Sequence, residues 1–427
     1  MNKQQLLDIL AEEIKPSLGV TEPGAVAMCC SAASDLNSIG TQHIDIIVSP
    51  DIYKNCMAVG IPGFPEKGIK AAAALGAIGG DYRLKLEALK TVTDVQAKAC
   101  TSLLASDGVS VSVSDNGKML YIEASCKGSK GNGRCIIQDY HDSIVYREKN
   151  GKVLLDGRRP SDEEKMCTDG LTDVTIKELV ALVETCSSDE LELLALGADM
   201  NMEASKWGLA HRPGSAIGAH LKDLADGKRW VADDLTTELQ IATCAASDVR
   251  VSGSPISIMT CAGSGNHGIT AMVPIARAAQ YLHIPRMKML KALALSCLVT
   301  VYVKRFSGKL SGMCGCGVAS GTGVACALTY MLDGSMIQME NSIKNMAGGI
   351  TGMICDGAKE GCSLKLANAV ASAVQSAILA LSDVVIPNDN GIVGTTAEQT
   401  LRNMGTVSFP GMSSTDATIL EVMQHWK

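Results

Sequence analysis

The hydrophobic period changes part-way along the chain, and this limits the fold more than any other feature. From about residue 41 to 156 the stretches HIDIIVSP, YKNCMAVGI, VSVSVSD, KMLYIEASC, RCIIQDYHDSIVYRE and KVLLD alternate or are β-branched, the period-two pattern of half-buried strands. Asn-Gly pairs at 116–117, 132–133 and 150–151 read as turns. From about residue 175, ELVALVET, SDELELLALGADMNMEASKW and ITAMVPIARAAQYL repeat apolar residues every three or four positions, as helices with one buried stripe do. The expectation is an α+β chain in three parts. Residues 1–40 form a helical segment packing with the C-terminal part, 41–170 a β-rich α/β domain, and 171–427 a mainly helical domain. Inside the β-rich part, IKAAAALGAIGG at 69–80 reads as a small-residue helix behind the loop IPGFPEKG.

The 427 residues suffice to bury a catalytic cavity. Only 19% are charged, and the net charge of -7 gives no basic surface for nucleic acid, so a small-molecule partner fits better. Aromatic residues are 3% of the chain while Gly and Ala are abundant, which suits helices that approach closely. The start, MNKQQLLDILAEEIKPS, is amphipathic and lacks the basic and apolar regions of a signal peptide, so a cytoplasmic location is expected. The apolar stretches at 292–303 and 366–381 are short or broken by Asn368, Ser372 and Gln375, below the roughly 20 apolar residues of a span; they read as core helices, with no membrane partner. Sixteen cysteines in a reducing compartment are no disulfide framework, which leaves metal ligation, catalysis and packing.

The densest chemical signal is GKLSGMCGCGVASGTGVACALTYMLDG at 308–334 followed by NMAGGITGMICDGAKEGCSLKLANAVASA at 345–373. Cysteines here sit in Gly-rich bends before helices, where backbone amides and helix N-termini stabilise thiolates. Cys355 and Cys362 flank the turn DGAKEG, and Cys314 or Cys316 can supply a third ligand. Three ligands leave one metal position open for substrate. Buried structural cysteines account for the spacing equally well; a zinc site has no His at finger-like spacing to complete it. Cys326 reads as packing.

Other segments carry single candidates. TCAGSGNHGITAMVPIA at 260–276 puts Ser264 and Asn266 before an apolar helix, where backbone amides suit a carboxylate; a plain helix cap is the simpler alternative. His267 is the acid–base side chain there. LGVTEPGAVAMCC places Thr21 and Glu22 in a bend able to meet an amino group, and SPDIYKNCMAVGIPG offers Lys54 and Asn55 at a strand end; both also read as ordinary polar ends.

In order, TEP, KN with GIPG, SGNHGI, KLSGMCGCG and GMICDGAKEGC resemble the L-cysteine desulfidase family, relatives of the α chain of iron–sulfur L-serine dehydratase, over nearly the whole chain. The resemblance implies a [4Fe–4S] cluster on Cys314, Cys355 and Cys362, carried by the helical domain, with Cys316 the lesser candidate for the first ligand. It implies an oxygen-sensitive lyase that removes water or hydrogen sulfide from a small L-amino acid by β-elimination. Its partners would be that substrate, no nucleic acid and no membrane, with a homodimer left open. In the family a cysteine proposed as catalytic base precedes TEP, and here that position is Val20. Valine cannot carry a proton, and Cys29 and Cys30 lie about 13–15 Å further along a helix. His267 or Lys54 is then the candidate base; a cluster-bearing amino-acid sensor without turnover is the alternative.

Overall fold

The computed structural model describes residues 1–36, 40–114, 116–129, 131–158, 170–228, 232–308 and 310–425. The first part of the chain runs α1 (Lys3–Glu13), β1 (Pro16–Leu18), α2 (Thr21–Ser34), β2 (Thr41–Val48), α3 (Pro50–Cys56), β3 (Gly60–Ile61), β4 (Phe64–Lys67), α4 (Ile69–Gly79) and α5 (Asp94–Ala105). It continues through β5 (Val109–Val113), β6 (Tyr121–Gly128), β7 (Gly131–Gln138), β8 (Ile144–Lys149) and β9 (Lys152–Asp156). Beyond residue 170 lie α6 (Ile176–Glu184), α7 (Glu192–His211), α8 (Ile217–Asp226), α9 (Leu235–Val251), β10 (Ser257–Met259), α10 (Gly265–Tyr281) and α11 (Arg286–Ser307). The chain then ends with α12 (Val318–Met331), α13 (Met336–Ile350), α14 (Cys362–Leu381), α15 (Ala397–Ser408) and α16 (Ser413–Gln424).

Local chemistry explains several boundaries. Asn2 with Gln5, Thr93 with Gln96, Thr175 with Glu178 and Ser335 with Gln338 form reciprocal capping boxes that start α1, α5, α6 and α13. In β2 the alternation buries Ile44, Ile46 and Val48 and leaves their neighbours less covered. The six-stranded sheet has the order β5-β2-β6-β7-β8-β9; β2 and β5 are parallel and the other pairs antiparallel, so the architecture is α+β as expected.

The expected turn at 150–151 joins β8 to β9, with both residues at positive φ. The one at 132–133 is overturned, because Asn132 and Gly133 lie inside β7, paired with Lys127 and Cys126. Gly133 serves close approach instead, since a Cβ there would stand 2.0 Å from the Ala33 carbonyl oxygen of α2.

Residues 1–36 divide between two cores. Leu6, Ile9, Leu10 and Ile14 join the helical core that holds α6, α7 and α9–α15. In contrast, α2 packs on the sheet with α4, its Ala25, Val26, Ala32 and Ala33 filling the second core beside Ile44, Ile46 and Ile122. Its run of small residues lets α2 lie flat on the strands. Beside α1, β1 pairs antiparallel with β10 and ties the start of the chain to the helical part.

The stretch at 366–381 extends back to Cys362, and α14 is, among the described residues, the one helix long and apolar enough to cross a membrane by length and composition. Its polar residues do not take it below that threshold. Within the fold α14 packs against α9, α12 and α13, with Leu366, Ala369, Val370 and Ala373 fully buried.

Candidate functional site

Two Gly-rich bends and two helix starts build one cavity. The bend after α11 and the bend after α13 are pinned by backbone hydrogen bonds: Cys314 N–H donates to the Met353 carbonyl (2.8 Å) and Cys355 N–H to the Gly312 carbonyl (2.7 Å), around an isolated bridge between Met313 and Ile354. Cysteines that are 41 positions apart in sequence thus face one space. Cys362, the first residue of α14, closes the same wall. Gly317 N–H points at Cys314 Sγ (3.4 Å) and Lys359 N–H at Cys362 Sγ (3.5 Å), the donor arrangement that stabilises thiolate. A hydrogen bond from Cys316 brings the Cys314 thiol down to about 7, whereas burial pushes Cys355 up to about 12. Cys316 lines the cavity as well.

The sheet part supplies the opposite wall. Glu22, in the first turn of α2, is buried, with Oε2 accepting from Thr21 Oγ1 (2.9 Å) and Oε1 from Asn55 Nδ2 (2.8 Å). Burial pushes its carboxyl up, but His141, Arg250 and the Thr21 hydroxyl outweigh this and hold it below the ordinary carboxylate range. Thr21 reaches the cavity through Glu22 and does not itself line it.

Lys54, in α3, pairs with Asp51 (3.0 Å) and with Asp416 of α16. Burial works against its charge, but Asp51, Cys355 and Asp416 raise its pKa above the usual lysine value. An ammonium so held has no lone pair, so the expected role of Lys54 as a base is not what this geometry offers; it is a fixed cation.

Ser264, Asn266 and His267 come from the start of α10 and all line the cavity. The Ser264 side chain makes no capping hydrogen bond, and Asn266 Oδ1 is buried without a partner. His267 Nδ1 lies 3.2 Å from the Ala262 carbonyl oxygen. A carbonyl only accepts, so Nδ1 carries the proton and Nε2 keeps its lone pair. Burial, and then Lys304, push the imidazole down to about 3, so it is neutral at physiological pH. Gly315 leaves room for this: a Cβ there would meet His267 Nε2 at 2.5 Å and Lys304 Nζ at 3.2 Å.

Sequence reasoning missed Arg250, Lys304, Lys365 and Asp51, all of which line the cavity. Arg250 and Lys304 are almost fully buried. Each ends a long apolar helical run, IATCAASDVRV and ALALSCLVTVYVK; a charge closing such a run was the available signal, since burying it unpaired is costly. Lys365 pairs with Asp356 beside Cys362.

The donors fit an iron–sulfur cluster better than a lone ion. Among the described residues no three His, Cys, Asp or Glu side chains are arranged to hold one metal ion, as zinc at about 2.3 Å from each sulfur would require. A cluster engages each cysteine at a different iron, so its ligands need only face a common space. The amide donors to Cys314 and Cys362, the Arg250 guanidinium and Lys304, whose ammonium burial opposes and the neighbouring cysteines favour, suit its negative charge.

Residues 83–421 match the family model described as serine dehydratase alpha chain. A UPF0597 protein of Clostridioides difficile is 39% identical over 98% of each chain. One from Alkaliphilus metalliredigens is 38% identical over 100% of this chain and 96% of its own, and one from Caldanaerobacter subterraneus subsp. tengcongensis 39% identical over 98% and 97%.

Proposed function

The chain belongs to the serine dehydratase alpha chain family, and from that premise we propose that it is a cytoplasmic, oxygen-sensitive lyase that performs β-elimination on a small L-amino acid. The products are pyruvate, ammonia and sulfide from L-cysteine, or pyruvate and ammonia from L-serine, whose eliminated water is taken up again when the imine hydrolyses. The observation that carries this reading is the meeting of Cys314, Cys355 and Cys362 with Glu22, Asn266 and His267 around one cavity.

In this reading Cys314, Cys355 and Cys362 hold a [4Fe–4S] cluster. When bound, it supplies a Lewis-acidic iron for the leaving group. Glu22, kept anionic and oriented by Thr21 and Asn55, receives the substrate ammonium. Asn266 Oδ1, buried and lacking a partner, accepts a second ammonium hydrogen. His267 is the base: its Nε2 is unprotonated and its ring is fixed by the Ala262 carbonyl. Burial and Lys304 leave this imidazole weakly basic, so the base gains strength once the substrate's carboxylate offsets the positive charge around it. Lys54, held by Asp51 and Asp416, anchors α3 and α16 at the rim.

The test is an anaerobic assay for 2-oxo acid against L- and D-serine, cysteine and threonine. One L-substrate should turn over, and exposure to air should end it. Val20 in place of the family's cysteine favours a second reading, an amino-acid sensor that keeps the cluster without turnover. No product from any substrate with iron and sulfide intact would leave that one standing.

A further inference from the structure

Arg250, near the end of α9, is one of the largest fully buried side chains in the protein, at 2% exposure, and it borders the cavity. Its Nε and Nη2 are both buried without a hydrogen-bond partner. A guanidinium cannot shed its charge, so two orphaned N–H groups call for an occupant. These two nitrogens share one edge of the planar fork, and their N–H bonds run parallel, which matches the two oxygens of a carboxylate. Glu22 is the nearby acid and helps to keep the guanidinium charged, but it takes no hydrogen bond from Nε or Nη2.

A second set of donors stands beside the fork. Arg250 Nε lies 2.4 Å from where a Cβ on Gly265 would be, so the fork abuts the first residue of the 17-residue α10. The opening amides of that helix receive no side-chain cap from Ser264, and free helix N-termini favour anions.

We propose that the Arg250 fork and the start of α10 form the seat of the substrate's α-carboxylate. This rests on the amino-acid lyase reading and adds to it the group that recognises the acid. With the ammonium on Glu22 and Asn266 and the carboxylate on Arg250, two of the substituents of Cα are fixed on different elements, which makes the site selective for α-amino acids over amines.

Calorimetric titration of the anaerobic full-length holoprotein tests this with L-alanine, which has no leaving group, and L-alaninamide, which has no carboxylate. Wild type should prefer L-alanine by about 100-fold, Arg250→Gln should erase the preference by weakening L-alanine alone, and Arg250→Lys should cost about tenfold through loss of the two-pronged contact. Unchanged L-alanine affinity in Arg250→Gln overturns the proposal, as does failure of wild type to prefer L-alanine. If circular dichroism shows Arg250→Gln unfolded, unchanged affinity in Arg250→Lys overturns it equally. Arg250-dependent binding in a wild-type protein that forms no 2-oxo acid would keep the seat and remove the lyase, while turnover indifferent to Arg250 would do the reverse.

Discussion

Two regions of this protein are rich in cysteine, and they differ in what surrounds the sulfur. Between α2 and the sheet, Cys29, Cys30, Cys126 and Cys135 are fully buried. There the thiols donate: Cys29 to the Cys135 carbonyl (3.4 Å) and Cys126 to the Cys30 carbonyl (3.5 Å). Burial pushes Cys126 up to about 12 and Cys29 and Cys30 well above the ordinary thiol value. Around the cavity burial raises Cys355 and Cys362 as well, but Cys314 is brought down to about 7, backbone amides point at Cys314 and Cys362, and Lys304 and Arg250 stand nearby. Density of cysteine is common to both regions; what separates them is whether donors and cations face the sulfur. The first region packs, the second is built to hold charge.

Substitution should split the two regions most widely. Cys362→Ser is expected to abolish bound iron, visible colour and turnover, whereas Cys126→Ala should keep all three and lose about 1–2 kcal/mol of stability to the cavity it leaves. Iron content and denaturant melts of the two proteins decide it, and equal iron loss in both would erase the distinction.

A smaller contrast lies in pH. Beneath the cavity wall Asp248 accepts from Ser363 Oγ (2.6 Å) and from Gly218 N–H (2.9 Å), and burial pushes its carboxyl up to about 6. Because the folded pKa exceeds the unfolded one, the folded state holds the proton more tightly. The resulting stability is gained as pH falls from above 6 toward 4 and lost as pH rises through 6. Relative to Asp248→Asn, wild type should gain on the order of 1–2 kcal/mol between pH 7 and 5 in urea melts. A difference that does not vary with pH would mean that this carboxylate is not penalised.

The smallest expected effect belongs to Val20. It sits 1% exposed in the core of the first region, at the N-cap of α2. Val20→Cys should change turnover by less than about threefold and stability by less than about 1 kcal/mol, being close to isosteric. A tenfold gain in the anaerobic assay would give the packed region a share in the chemistry and break the contrast.

Much of the cavity was readable because its parts are local. Cys314, Cys355 and Cys362 in their Gly-rich bends, the TEP segment with Glu22, Asn55 and the Ser264–Asn266–His267 start each announce themselves within a few residues, and the structure gathers them on one cavity with Thr21 behind Glu22. Arg250 and Lys304 did not stand out, because their meaning comes from burial among helices distant in sequence. The same reason hid α2's place on the sheet: a run of Ala, Cys and Met fits either core, and only contact with β6 and β7 decides. Asn132–Gly133 misled because glycine serves tight turns and close packing alike.

The pairing of β1 with β10 matters for the order in which the molecule is made. Pro16 meets Met259 and Leu18 meets Ser257, so β1 waits until β10 has been synthesised before this clasp can shut. The two walls of the cavity come from opposite sides of that closure, Glu22 and Lys54 from before it and the cysteines from after it. Inserting the proposed cofactor is therefore a task for a polypeptide already made past Cys362, and a nascent chain released before that point would carry one wall without the other.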